Sequence, residues 1–558
     1  HPLARSFLEE RCAQLGFAPE AGSAATCLEY YRGRRDWDAA FDVVARNRLG
    51  ADLEPLLLEA LDELLDAARL TTVEAWCKLA ADLGIEAIGY SLARSEVALR
   101  RGHLSEAQAF AEVAATDDPE LQFRTLSIAG RAAHLASREE QALELYRRAG
   151  AVAPTHVARR DALWGQLVCA IELELPQATN ELQALTATVS RSDTREVLQS
   201  ATFGLGYGTR FGHIDLTDAD AAYDLLSTVD DPLVVSSFQS VYSWSLGLAA
   251  RYGDALKVAG ELRDTATRYR LDFAMPYALS AVAAACAGLR KWQEADSLAR
   301  KSLELSQSAR DLAGQQHSFS LYLRVLAQQR RQRAALALDV PPLGSAPPGA
   351  RAEVLAVRAF VLASVGRVEE ARRIAQEVQS LSLAVFPIVL VAAVRAVSAL
   401  KRSESDTVER VTELEEAAFA TGAVDLLVTA YRSTPDLLPV LLRASRDQER
   451  LGRLLKQAGD EHLAVAAGHR LTDDDHPKAR LSSREYEVYQ LVGQGLTNLQ
   501  IAQLLFISEA TVKLHVHHIY DKLGIRSRTA VAVQAALERA DQATSAIEVV
   551  ESESDSDS

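Results

Sequence analysis

The residues best suited to bond-making or metal binding are five scattered cysteines (Cys12, Cys27, Cys77, Cys169 and Cys286) and a cluster of histidines, His515, His517 and His518. The cysteines never fall in CxxC spacing, which argues against a zinc knuckle and a disulfide framework. They read as small buried hydrophobes in a reducing cytosol. The histidines lack the i, i+4 spacing that a helical metal site prefers, and no nearby Cys or carboxylate completes a set, so no metal is expected. Phosphate chemistry is equally thin. The chain contains no Gly-Lys pair, hence no GxxxxGK[ST] loop, and Gly204-Leu205-Gly206-Tyr207-Gly208 reads as a connection between helices with no strand before it. No HExxH, GxSxG or persuasive carboxylate pair occurs, so a non-enzyme without a cofactor is expected.

The histidines belong to a segment with another kind of chemistry, the reading of base edges. Ser482-Ser483-Arg484-Glu485 has capping-box spacing and opens a helix that buries Val488 and Leu491 and stops at Gly493 or Gly495. Thr497-Asn498-Leu499-Gln500 repeats that spacing and opens a short helix containing Ile501, Ala502 and Leu505. After the turn Phe506-Ile507-Ser508, a helix from Glu509 to Lys522 carries the apolar stripe Val512, Val516, Ile519 and Leu523. Gly524 is expected to end it, and Ser527 to cap a fourth helix reaching Arg539.

Two short helices joined by a tight turn, the second amphipathic, form a helix-turn-helix. With the valines inward, Ala510, Leu514, His517 and His518 face outward, with Thr511 and Lys513 at the margins. Lys513 can reach guanine O6/N7, and Leu514 can pack on a thymine methyl. Asn498, Thr511, His518, Arg526 and Arg528 are the expected phosphate holders.

The run Leu481-Ser482-Ser483-Arg484-Glu485, Gly495-Leu496-Thr497-Asn498, Ser508-Glu509-Ala510-Thr511-Val512-Lys513-Leu514-His515, Lys522-Leu523-Gly524 and Arg526-Ser527-Arg528 resembles the LuxR/FixJ-type DNA-binding domain. The resemblance implies base contacts from Lys513, Leu514 and His517, and dimer pairing through residues 528–539 on an inverted repeat. Leu499 stands where that family usually has lysine and Gln500 where it usually has glutamate, which puts one phosphate contact in doubt.

Upstream, residues 1–470 read as helix after helix, with apolar residues at i, i+3, i+4 and i+7. An alanine opens the second helix of each apparent pair: Ala39, Ala75, Ala107, Ala142, Ala178, Ala219, Ala255, Ala295, Ala334 and Ala371. Their spacing of 32 to 41 residues fits the period of roughly 34–40 that a helix–turn–helix repeat needs. These copies resemble tetratricopeptide repeats, though none carries the full consensus and a related α-solenoid fits as well. Pro341-Pro342-Leu343-Gly344-Ser345-Ala346-Pro347-Pro348-Gly349 is expected to be a loop between repeats. The repeat signal fades after about residue 400.

The predicted fold is therefore all-α: a tetratricopeptide-like α-solenoid (1–470), a linker (471–479), a four-helix LuxR-type helix-turn-helix domain (480–540) and a disordered acidic tail (541–558). The 558 residues are 48% hydrophobic and 24% charged, with no apolar run long enough to cross a membrane, and a cytoplasmic protein is expected. The net charge is −16, yet residues 480–540 hold 7 Lys+Arg against 5 Asp+Glu. An acidic chain must confine any nucleic-acid contact to a local patch, and of residues 1–479, 480–540 and 541–558 only the middle segment has a positive balance.

The architecture resembles the large ATP-binding, maltose-regulator-like LuxR proteins, in which an ATPase module precedes the repeats. This chain contains no such module, opens with His1-Pro2 and has Met275 as its only methionine. Either such a module lies outside the sequence or the protein works without it. The expected function is a bacterial transcription regulator that binds double-stranded DNA as a homodimer or larger oligomer. RNA polymerase is an expected partner, with an unknown ligand or protein on the concave face of the repeats. The competing class is a repeat-protein scaffold or adaptor whose helix-turn-helix makes protein contacts.

Overall fold

The computed structural model describes residues 21–113, 118–309, 311–344, 346–467, 481–505 and 507–523, with Arg11, Arg528, Val531, Ala532 and Ala535. Among these residues all regular structure is helical, and no helix is long and apolar enough to cross a membrane. The chain divides into two compact units, His1–His469 and Arg470–Ser558. The linker 471–479 and the acidic tail 541–558 lie outside the described residues.

The first unit is a stack of antiparallel pairs. It opens with α1 (Ala21–Gly33) and α2 (Trp37–Asn47), then α3 (Gly50–Asp66) and α4 (Leu70–Asp82). Next come α5 (Ile88–Arg100) with α6 (Leu104–Val113), α7 (Pro119–Leu135) with α8 (Glu139–Val152), and α9 (His156–Glu172) with α10 (Ala178–Thr186). The pair α11 (Thr194–Phe211) and α12 (Thr217–Tyr223) is followed by α13 (Pro232–Leu248) and α14 (Tyr252–Arg268). The stack continues with α15 (Met275–Gly288) and α16 (Trp292–Ser308), α17 (Leu312–Gln328) and α18 (Gln332–Leu336), and α19 (Pro348–Ser364) and α20 (Val368–Leu381).

One turn recurs. In most pairs the second residue past the first helix is left-handed: Arg35, Ala68, Gly102, Ser137, Glu174, Ala250, Arg290, Arg330 and Gly366. The next N–H then reaches back over the helix end, as from Asp36 to Tyr31, Arg251 to Leu246, Lys291 to Cys286 and Arg331 to Leu326. This is the Schellman arrangement, which satisfies helix-end carbonyls that would otherwise be orphaned.

The turn also fixes the register of the second helix, and it corrects part of the alanine pattern. Its fourth residue is the one sealed between neighbours: Ala40, Val73, Ala107, Ala142, Ala255, Ala295, Ala335 and Ala371 are all buried. By contrast Ala39 is half-buried, and Ala75 and Ala334 are exposed. Alanine identity misled there because the second pair seats a valine, and in the other two an adjacent alanine takes the position.

Three further expectations change. Gly204-Leu205-Gly206-Tyr207-Gly208 lies inside α11, and at Gly208 a Cβ would come 2.5 Å from the His213 carbonyl oxygen, so glycine admits the returning chain. The proline loop ends at Pro347, because Pro348 takes the first position of α19, where a missing N–H costs nothing. Cys77, Cys169 and Cys286 are buried as expected, but Cys27 is exposed and Cys12 lies outside the described residues.

The repeat signal fades because the chain stops extending the stack. After α21 (Val385–Arg402) and α22 (Thr407–Thr421), helix α23 (Val424–Ser433) is buried along its whole length. Asp425 accepts from Tyr252 (2.8 Å) and Arg324 (2.8 Å), and Gln328 donates to Thr429 (3.1 Å). Arg432 donates to the Ala287 and Gly288 carbonyls at 3.1 Å each. Helix α23 thus runs against the first helices of the pairs from α13 to α18. Over that stretch the side of α13, α15 and α17 that meets α23 is covered by the chain itself. The unit closes with α24 (Leu437–Ala444), α25 (Gln448–Gln457) and α26 (Glu461–Ala466).

Candidate nucleic-acid interface

The second unit builds α27 (Ser483–Gly493), α28 (Asn498–Leu505) and α29 (Glu509–Leu523) around a small core. Val488, Tyr489, Val492, Ile501, Val512 and Ile519 are sealed in it, and Leu491 and Leu523 only partly. Both capping boxes form. The Ser482 N–H donates to Glu485 (2.8 Å), the Glu485 N–H to Ser482 Oγ (3.4 Å), and the Thr497 N–H to Gln500 (2.8 Å). Gln500 therefore does the work of the usual glutamate, since an amide oxygen accepts that N–H equally well. The Ser508 hydroxyl caps α29 by accepting the Thr511 N–H at 3.1 Å.

With Val512, Val516 and Ile519 inward, α29 turns Lys513 (side chain 67% exposed) and Leu514 (54% exposed) to solvent, with Ala510, His517 and His518 also exposed. Lys513 Nζ lies 3.3 Å from the Glu509 carboxylate one turn back, an exposed pair of small energetic weight. Thr511 shares a 2.7 Å hydrogen bond with Ser508 Oγ. Leu514 is a half-exposed leucine in the middle of a helix, with no core role to explain it.

The cations divide by role. Arg484 donates to the Leu505 carbonyl (2.6 Å) and Glu487 (2.6 Å), tying α27 to the end of α28. Lys522 donates to both oxygens of Glu485, at 2.9 and 2.7 Å. Burial raises the Glu485 carboxyl, but Lys522 and the donors of Ser482 outweigh it and bring its pKa from 4.5 down to about 2. Arg528 donates to Asn498 Oδ1 (2.7 Å) and to the Leu496 carbonyl. These internal ties of Arg484 and Lys522 were not foreseen, because helical spacing gives a residue's face but not the neighbour it bends toward. Arg526, the fourth-helix caps and most of residues 528–539 lie outside the described residues.

The metal question needs one correction. A carboxylate does approach the histidines: ligand atoms of Glu485, His515 and His518 lie within 4.8 Å of one another. Both Glu485 oxygens are already taken by Lys522, so a metal ion would have to displace an ammonium there.

Residues 479–535 match the family model described as bacterial regulatory proteins, luxR family. Over 62 residues the chain is 45% identical to a nitrate/nitrite response regulator protein homolog of Haemophilus influenzae, covering 11% of this chain and 30% of that protein. It is 35% identical over 94 residues to the nitrate/nitrite response regulator protein NarP of Escherichia coli, covering 17% of this chain and 43% of that one. The chain thus spans less than half the length of these curated relatives. Among solved structures, the APC/C hetero-tetramer Cut9-Hcn1 aligns with a TM-score of 0.44 at 11% identity, covering 94% of this chain and 98% of that one. A Rap protein complexed with competence and sporulation factor aligns at 0.33 and 12% identity, covering 74% of this chain and 99% of that one.

Proposed function

Proceeding from a LuxR-type helix-turn-helix at residues 479–535, we propose that the chain is a cytoplasmic bacterial transcription regulator that reads double-stranded DNA with α29. The observation that carries this reading is the face of Lys513, Leu514 and His517, presented opposite the buried Val512, Val516 and Ile519. Those three side chains are assigned to base edges in the major groove. Thr511, His518, Asn498, Arg526 and Arg528 are assigned to phosphates. Because Arg528 donates to Asn498 Oδ1, the Asn498 amide nitrogen has no partner among the described residues and is assigned to a phosphate oxygen. Pairing through residues 528–539 would place two readers on an inverted repeat and present RNA polymerase with an assembled dimer. The helical-repeat unit is the sensor in this scheme, with a ligand or protein partner setting the assembly state.

Selection from random duplex oligonucleotides by the whole chain, at about 150 mM salt, tests the proposal, salt being fixed because phosphate contacts make affinity salt-dependent. An enriched inverted repeat is the expected outcome, and Lys513→Ala and His517→Ala should lose sequence preference. A chain that enriches nothing overturns it. The exposed leucines Leu499 and Leu504 on α28 favour one other reading, a module that docks protein rather than DNA, for which neither substitution would matter.

A further inference from the structure

A cavity of about 610 Å³ opens between the hairpin turns of α15–α16 and α17–α18 on one side and α24 and α26 on the other. Its volume suits a small organic ligand. Its lining combines basic and apolar side chains. Arg290, Arg330, Arg331 and Arg432 face it, and Trp292, Leu438 and Leu463 form much of the apolar wall.

The arginines are only partly neutralised. Arg432 donates to Asp460 at 2.7 Å and Arg290 stands 3.3 Å from the same fully buried carboxylate. Arg331 is paired with Asp296 at 2.8 Å. Arg330 has no carboxylate partner among the described residues, and its exposed guanidinium lines the cavity. Four guanidiniums thus meet two carboxylates in a half-enclosed, partly apolar space, where an unpaired positive charge is answered best by an anion.

We propose that this cavity binds a small organic anion, its acidic group held by Arg330 with Arg290 and Arg331, and its apolar body laid against Trp292, Leu438 and Leu463. The inference rests on the regulator reading for its meaning and deepens it. Helix α26 and Ala467 form one wall, and in sequence they precede the linker and the helix-turn-helix. A ligand there would hold the last helix of the sensor against the turns of the repeats.

The test titrates the whole chain with the aromatic sulfonate 1-anilinonaphthalene-8-sulfonate and reads its fluorescence. Saturable binding at one site is expected, weakened about tenfold by Arg330→Glu and unchanged by Arg395→Glu, an exposed arginine outside the cavity lining. Phenylacetate should displace the probe at concentrations where acetate does not. Unsaturable binding, equal affinity for Arg330→Glu, or equal displacement by acetate would overturn the proposal. No DNA enters this measurement. Site-specific binding of the probe by a chain that enriches no DNA sequence would sink the regulator and leave the anion site standing.

Discussion

Lys513 and Glu485 show how differently two charged residues of one small domain are used. Lys513 is exposed and only loosely paired, so its charge is available to a partner. Lys513→Ala should cost about 1–3 kcal/mol at one base position while leaving nonspecific affinity nearly intact, measurable by competition against point variants of the selected site. Glu485 is a structural acid held by Lys522 and the Ser482 N–H. Its folded pKa of about 2 lies below the ordinary 4.5, so the stability it contributes is complete above that ordinary value and is lost as pH falls toward 2. Glu485→Gln should lower the domain's Tm at pH 7 and flatten its acid limb, which circular dichroism melts across that range would show. The caps of this domain were legible because Ser-x-x-Glu and Thr-x-x-Gln encode a local hydrogen bond in their spacing. The ties from Arg484, Lys522 and Arg528 were not, since each joins residues 21 to 37 positions apart.

At the scale of the element, the hairpin turn governs the repeat. Alanine periodicity revealed the pairs, but the left-handed turn residue sets which position is sealed, and side chains such as Arg290 or Ser137 gave no hint of positive φ. The consequence is testable at two alanines. Ala295→Leu forces a larger side chain into a closed seam and should destabilise by about 1–3 kcal/mol, whereas Ala75→Leu, on an exposed position of α4, should stay within about 0.5 kcal/mol. Urea midpoints of the two variants decide this. Asp311, the N-cap of α17, adds a pH effect of opposite sign to that of Glu485. Burial lifts its carboxyl to about 6 against the stabilising Gly314 and Ala313 N–H groups. Ionisation is therefore harder in the folded state, and stability falls as pH rises from the ordinary 3.8 through 6. Asp311→Asn keeps a capping oxygen and should raise Tm at pH 7.5 while changing little at pH 4.

For the whole molecule, the decisive element is α23. Its sequence reads as one more amphipathic helix, and nothing local says that it leaves the stack, because its partners are Tyr252, Arg324 and Gln328, far back in the chain. Removing Asp425 by alanine would strand the buried Arg324 charge and should cost about 3–5 kcal/mol. Hydrogen exchange across residues 424–433 should then accelerate well before that of α13 or α15; uniform acceleration would mean that the helix is an inseparable part of one cooperative core.

A helix joined by a short chain to the groove that it fills behaves as its own competitor. Tethering of this kind sustains an effective concentration in the millimolar range. Any outside peptide or protein seeking the face that α23 covers would show an affinity reduced by the fraction of time that face stands open. Partner screens with the intact chain would therefore report weak or absent binding even for a true occupant of that face. Chains carrying Asp425→Ala should bind such an occupant more tightly than the intact chain does.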